Sequence, residues 1–212
     1  ELTIPHSALP SDYTGPRRAG TAILFLPMPG QQSAWHTVRS AELYQARWDH
    51  VDLNEAQWHI PKSKTGAEMD IPLAPIVVNW FKELRTLAGE SAFVLPAHAR
   101  GRAARQGGDT HVSKDTIREA IGYWLDADKP AVRRFTPHDL RSTMKSHMRA
   151  LGVPRDISEM CLNHKLSGVE GIYDRHTYFE ERKAALAKWA VFLLACEVGD
   201  IFVLDAGDVR IL

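Results

Sequence analysis

Apolar residues recur along most of this chain at intervals of three and four, and only between Ala46 and Leu73 does the period shorten to two. The shorter period predicts strands. Trp58 and Ile60 alternate with polar neighbours in Gln57–Pro61, and Met69, Ile71 and Leu73 do the same in Glu68–Leu73. With Ala46–Val51 before them they make three short strands, and Lys64-Thr65-Gly66 falls at the hairpin between the second and third. Helical spacing dominates elsewhere. A helix over Ser33–Tyr44 precedes the strands, and Val77, Val78, Trp80, Phe81 and Leu84 predict another over Pro75–Leu87. Ser91–Pro96 reads as extended and Ala99–Asp109 as a loop rich in glycine and arginine. Ser113–Leu125 is the next helix, with Ser113 as its N-cap. Thr136 caps the one after it, with Pro137 at the first position and Asp139 in the first turn. Gly152 ends that helix and Pro154 opens another that reaches Leu162. The last, Glu180–Cys196, carries Leu186, Trp189, Leu193 and Leu194.

These elements describe an α+β fold, mainly helical, with a small three-stranded antiparallel sheet. Residues 1–35 are punctuated by Pro5, Pro10, Gly15, Pro16 and Gly20, then by Pro27, Pro29 and Gly30, and read as an irregular lead-in. One domain over 36–196 and a C-terminal tail over 197–212 complete the expected organisation. No internal repeat is visible. The chain opens on Glu1 rather than methionine, as an excised piece of a longer protein would.

Net charge adds nothing, because Lys+Arg and Asp+Glu both total 26. Its distribution does. Ala97–Arg155 holds twelve basic against six acidic residues, whereas Glu197–Leu212 holds four acids and a single base, Arg210. A basic middle suits a polyanion. Cys161 and Cys196 are too few for a disulfide framework or a paired-cysteine zinc site, and they fit a reducing cytoplasm. No signal peptide is recognisable, and Trp189–Cys196, the longest apolar run, is too short to span a bilayer.

The candidate chemistry lies toward the C-terminus, in His138, Arg141, His164 and Tyr173. An arginine fork matches phosphate oxygens two at a time, and histidine donates to or exchanges protons with the same group. A tyrosine hydroxyl becomes a nucleophile when nearby positive charge offsets its high pKa. His138 and Arg141 share a face near a helix N-terminus, where an anion is welcome. Taken singly, each residue has a plainer reading. His138 caps or packs, Arg141 is a solvated charge, His164 is a packed histidine at a helix end, and Tyr173 is a core or surface aromatic. No His-Glu-x-x-His spacing supports a zinc enzyme.

Order and spacing join them. His138-x-x-Arg141, then Leu162-Asn163-His164, then Tyr173 nine residues after His164 resembles the catalytic domain of the tyrosine recombinases, or phage integrase family. Ile172-Tyr173-Asp174-Arg175 and Tyr178-Phe179-Glu180-Glu181-Arg182 are similar to its prophage and genomic-island branch. Upstream, Arg39-Ser40-Ala41-Glu42-Leu43 leading to Ala46-Arg47-Trp48-Asp49 matches the family's first-arginine motif and the strand after it. Relatives carry Thr-Gly-x before that arginine, where this chain has His36-Thr37-Val38. Lys64 matches the hairpin lysine, with Lys62 as the alternative on the same hairpin. Tyr173 matches the nucleophile by spacing, with Tyr178 as the alternative.

The resemblance implies the DNA breaking-rejoining catalytic-core fold and a site-specific recombinase. Its catalytic set would be Arg39, Lys64, His138, Arg141, His164 and Tyr173, acting through a 3′-phosphotyrosyl intermediate without cofactor or metal, to integrate or excise a prophage or genomic island. It further implies double-stranded attachment-site DNA as partner, a homotetramer for strand exchange (a monomer as an isolated fragment), and a cytoplasmic, DNA-associated location. Arg100, Arg102, Arg105, Arg133, Arg134 and Lys145 are candidates for DNA-backbone contacts. A non-catalytic DNA-binding remnant and a type IB topoisomerase-like enzyme are the alternatives on the same residues.

Overall fold

The computed structural model describes residues 38–62, 68–97, 100–129, 133–164, 177–198, 202–205 and 208–211. Helix α1 (Ser40–Tyr44) leads through a 3-10 turn at Trp48–His50 into strands β1 (Val51–Asp52), β2 (Gln57–Ile60) and β3 (Met69–Pro72). Helices α2 (Pro75–Ala88), α3 (Arg100–Arg105), α4 (Thr116–Asp128), α5 (Pro137–Ala150), α6 (Arg155–Cys161) and α7 (Phe179–Val198) follow. A two-stranded hairpin, β4 (Phe202–Asp205) with β5 (Asp208–Ile211), comes last. The expected mainly helical α+β fold with a three-stranded antiparallel sheet is present. Among the described residues no helix is long and apolar enough to cross a membrane.

Strand β2 lies in the middle of the sheet, with Trp58 opposite Val51 on one side and Ile71 on the other. The period of two puts Trp58, Ile60 and Ile71 inward, all buried, and leaves Gln57 and His59 on the wetter face. Strand β3 is an edge. Leu73 N–H donates to Ala56 O at 2.7 Å, so alternate residues Asp70 and Pro72 turn their main-chain groups away from β2. Proline has no N–H to leave unmatched there, which is why the edge tolerates it.

One core sits between the sheet and the helices. Trp58, Ile60, Ile71 and Leu73 meet Trp80, Phe81 and Leu84 of α2, Met144 and Met148 of α5, Ile157 and Cys161 of α6, and Leu186, Trp189 and Leu193 of α7. The apolar stripe of α7 is thus spent on its own domain. Phe81, Met144 and Met148 have no accessible surface at all, so a cavity cut at any of them would cost several kcal/mol, about 2–5 by analogy with other cores.

Four sequence expectations need correction. The first strand does not run over Ala46–Val51. Asp49 folds back to Arg47 (3.0 Å) and Trp48 packs edge-on to Phe81, which takes a turn rather than an extended chain. Ala99–Asp109 is not all loop, because the alanines and arginines of Arg100–Arg105 form α3 before Gly107 and Gly108 take positive φ. Ser113 does not cap α4. Its Oγ accepts from Asp115 N and its carbonyl from Thr116 N, making a turn one step earlier, and the N-cap is Asp115. The helix expected over Ser33–Tyr44 starts only at Ser40, because Arg39 is extended as its N-cap (φ −72, ψ 146), and residues 33–37 lie outside the described residues. Within 197–212, the expected tail, β4 and β5 pair as a hairpin, which leaves that expected boundary uncorrected.

Candidate active site

The site is built around the end of α6. Leu162 is its C-cap, and Asn163 follows with φ 52, in the left-handed region. Asn163 N–H donates to Met160 O (2.9 Å) and His164 N–H to Glu159 O (3.0 Å). This is a Schellman closure with asparagine where glycine is commonest, asparagine being the other residue that enters this region at small cost. The closure turns the carbonyls of Leu162 and Asn163 sideways and sends His164 back over the helix.

Both arginines grip this turn. Arg141, from the second turn of α5, donates through Nη2 to Leu162 O at 2.6 Å. Arg39, at the N-cap of α1, donates through Nη2 to Asn163 O at 3.0 Å. Glu42 holds Arg39 in place, accepting from its Nη1 at 3.0 Å and from its main-chain N–H at 2.8 Å. Adjacent carbonyls therefore bring two guanidinia from distant parts of the chain side by side. Their proximity registers in the basicity of Arg141. Burial and then the charge of Arg39, offset in part by Glu42, bring its pKa down to about 10. Two like charges in a half-desolvated site repel, and an anion between them relieves both penalties.

The second wall is the start of α5. Thr136 Oγ1 accepts from Asp139 N (3.4 Å), as expected of an N-cap, and Asp139 Oδ2 accepts in return from Thr136 N (2.8 Å), which makes the cap reciprocal. The Thr136 side-chain hydroxyl and main-chain N–H hold the Asp139 carboxyl below its usual range. His138 lies in that first turn, exposed, three residues before Arg141 and one turn along the same face. The orphan N–H groups and positive dipole of this helix end add to the field of the arginines.

His164 is exposed, and its Nδ1 lies 2.7 Å from Glu159 Oε2. The other oxygen of Glu159 pairs with Lys145 at 2.5 Å. Burial alone would raise the Glu159 carboxyl, but the hydrogen bonds and charges of Lys145 and His164 outweigh it and hold it below the ordinary value. A carboxylate on Nδ1 fixes the ring and directs Nε2 outward.

The structure thus brings together Arg39, Arg141 and His164 at one turn, with His138 beside Arg141 on α5. Lys64 and Tyr173 lie outside the described residues. Their alternatives are placed. Lys62 is exposed just past β2, and Tyr178 is half-buried against the core at the start of α7. Of the basic candidates, Arg105 and Arg133 stand exposed. Arg102 donates to His111 O at 2.8 Å, Arg134 pairs with Asp126, and Lys145 with Glu159. The side chain of Arg100 is not among those described. Glu42 and Glu159 were not singled out as site residues in the sequence. The signal for Glu42 is its place in the first-arginine motif, whereas Glu159 is marked only by standing five residues before His164.

Comparison with known proteins places the chain in a family. The model of the phage integrase family matches residues 34–180. Prophage integrase IntA of Escherichia coli (strain K12) is 26% identical over 82% of this chain and 40% of its own length. Prophage integrase IntZ of the same strain is 29% identical over 88% of the chain and 44% of its own length. The chain spans about two-fifths of the length of these curated relatives. In fold it is similar to an integrase from mycobacterium phage Brujita, with TM-score 0.57 at 16% identity, covering 81% of this chain and 52% of that one. It is similar also to XerA recombinase, with TM-score 0.52 at 18% identity, covering 84% and 67%. The family match spans both arginines and the turn that they grip, and with it the chain belongs to the phage integrase family.

Proposed function

We propose that the chain carries the DNA-cleaving and rejoining activity of a site-specific recombinase that integrates or excises a prophage or genomic island, with residues 36–196 as its catalytic domain. The observation that carries this reading is the pair of guanidinia held on the adjacent carbonyls of Leu162 and Asn163, whose mutual repulsion a phosphate would relieve. Tyr173 Oη attacks the scissile phosphorus, the bond to O5′ breaks, and a 3′-phosphotyrosyl link forms. The tyrosine proton passes to His138, and Lys64 protonates the departing O5′. Arg39 and Arg141 hold the non-bridging oxygens, and His164 hydrogen-bonds one of them through Nε2. Run in reverse with a new 5′-hydroxyl, the same steps rejoin the strand. The phosphodiester energy stays in the tyrosyl ester, so ligation needs no nucleotide.

The partner on this reading is double-stranded attachment-site DNA, and strand exchange takes a homotetramer on two duplexes. Basic residues between Arg100 and Arg155 supply the backbone contacts. The test is covalent capture. Full-length protein is incubated with nicked duplexes tiling the DNA that flanks its own coding sequence, and a protein–DNA adduct is sought on a denaturing gel. Wild type should give the adduct and Tyr173→Phe none. Absence of any adduct with folded wild type, or an adduct that survives Tyr173→Phe, overturns the assignment. Relaxation of supercoiled DNA without exchanged products would point instead to a topoisomerase-like activity.

A further inference from the structure

Arg182 is only 4% exposed, yet no step above uses it. A guanidinium is seldom buried so deeply, because desolvation is costly unless every donor is matched by a well-placed acceptor. Its hydrogen-bond acceptors among the described residues are main-chain carbonyls. Nη1 donates to Asp70 O at 2.9 Å, across 112 positions of sequence, and Nε donates to Thr177 O at 3.0 Å. The ring of Phe179 lies against the same group, with its centroid 5.8 Å from the guanidinium carbon. The carbonyl of Arg182 in turn faces the Cys161 thiol at 3.9 Å, three residues before His164.

Asp70 is the decisive partner. It stands on the edge strand β3, and its main chain turns away from β2, so its carbonyl has no place in the ladder. From the other side its carboxylate holds His59, directly opposite on β2, at 2.8 Å. The base of the hairpin that carries Lys64 is therefore fixed twice, across the ladder by His59 and from α7 by Arg182. Thr177, the other carbonyl, stands four residues after Tyr173 in the sequence.

We propose that Arg182 is a positioning residue, tying the strand that leaves the Lys64 hairpin to the chain that returns from Tyr173. The link keeps the general acid in register with the nucleophile. It rests on the assignment of Lys64 and Tyr173 under the proposed function. A lysine could hold one carbonyl but not both, since the planar fork is what spans them.

Leaving-group chemistry supplies the test. In a duplex whose scissile 5′-bridging oxygen is replaced by sulfur, a thiolate departs and needs no proton from Lys64. Single-turnover adduct formation by full-length Arg182→Lys should be slowed by about tenfold or more on ordinary DNA and return to within about threefold of wild type on the sulfur-bridged duplex. In a Lys64→Ala background the Arg182→Lys change should add no further slowing on ordinary DNA. Equal slowing on both duplexes, slowing that multiplies with that of Lys64→Ala, or no slowing at all would each overturn the role. A measurement without substitution guards against misfolding of the variant. The amides of Ile71 and Arg182 in wild type should exchange with solvent as one unit, and an Ile71 amide opening well ahead of Arg182 would also overturn it. Failure of wild type to form adduct on either duplex would fell the proposed function instead.

Discussion

Asn163 carries more of the site than its own side chain suggests. Its left-handed backbone presents two carbonyls to two arginines, while its Nδ2 is buried with no hydrogen-bond partner among the described residues. Asn163→Gly should therefore be neutral or stabilising by up to about 1 kcal/mol in urea denaturation, with cleavage retained. Asn163→Val should lose about 2 kcal/mol, because a β-branched residue is strained at this φ, and cleavage should fall further than the folded fraction does. Arg141→Lys tests the arginine itself. One ammonium cannot serve both Leu162 O and a phosphate, so cleavage should drop by about a hundredfold or more in the covalent-capture assay while DNA binding changes little. Glu159 gives a pH signature. Its carboxyl is depressed in the folded chain, so its pairing with Lys145 and His164 stabilises fully above the ordinary glutamate pKa of about 4.3 and is lost as pH falls through the lowered value. The stability gap between wild type and Glu159→Gln should close over that acidic window, and a gap that persists at lower pH would contradict the pairing.

At the scale of elements, the cap of α5 orients the helix that carries His138 and Arg141. Thr136→Ala should cost about 1 kcal/mol of stability, measured by urea denaturation, with Thr136→Ser nearly silent. The Thr136 cap was legible in the sequence because it depends on residues three positions apart. The hairpin was legible as two alternating runs around Lys64-Thr65-Gly66, but not its register, which sets Gln57 opposite Pro72. The arginine turn was legible only in part. His-x-x-Arg and Leu-x-His named the participants, but nothing local says that Leu162 O and Asn163 O are the acceptors, since those contacts span 21 and 124 positions. Arg182 stayed hidden for the same reason, its partner strand being 112 positions away. The 3-10 turn at Trp48–His50 was missed because a tryptophan in an alternating run reads as a strand until Phe81, far along the chain, claims its ring. Helix α3 was missed because Gly101 and the glycines after it masked the propensity of its alanines.

For the whole molecule, charge placement predicts how it would meet DNA on the proposed reading. Arg105 and Arg133 are exposed, whereas Arg102, Arg134 and Lys145 already have partners within the chain. Arg105→Ala and Arg133→Ala should each reduce the slope of log affinity against log salt by about one, with melting unchanged. Arg102→Ala should instead lower stability through the lost tether to His111 O, and a salt slope altered without any loss of stability would count against that. The thiols offer a different handle. Burial pushes Cys161 up to about 12, behind Arg182, whereas Cys196 is exposed on α7. The native chain thus already discriminates between its two sulfurs, and a maleimide dye should attach once per molecule, at Cys196, with a second equivalent entering only in denaturant. Spectroscopists could then follow α7 through the proposed recombination cycle by fluorescence or spin label, with no cysteine removed or introduced.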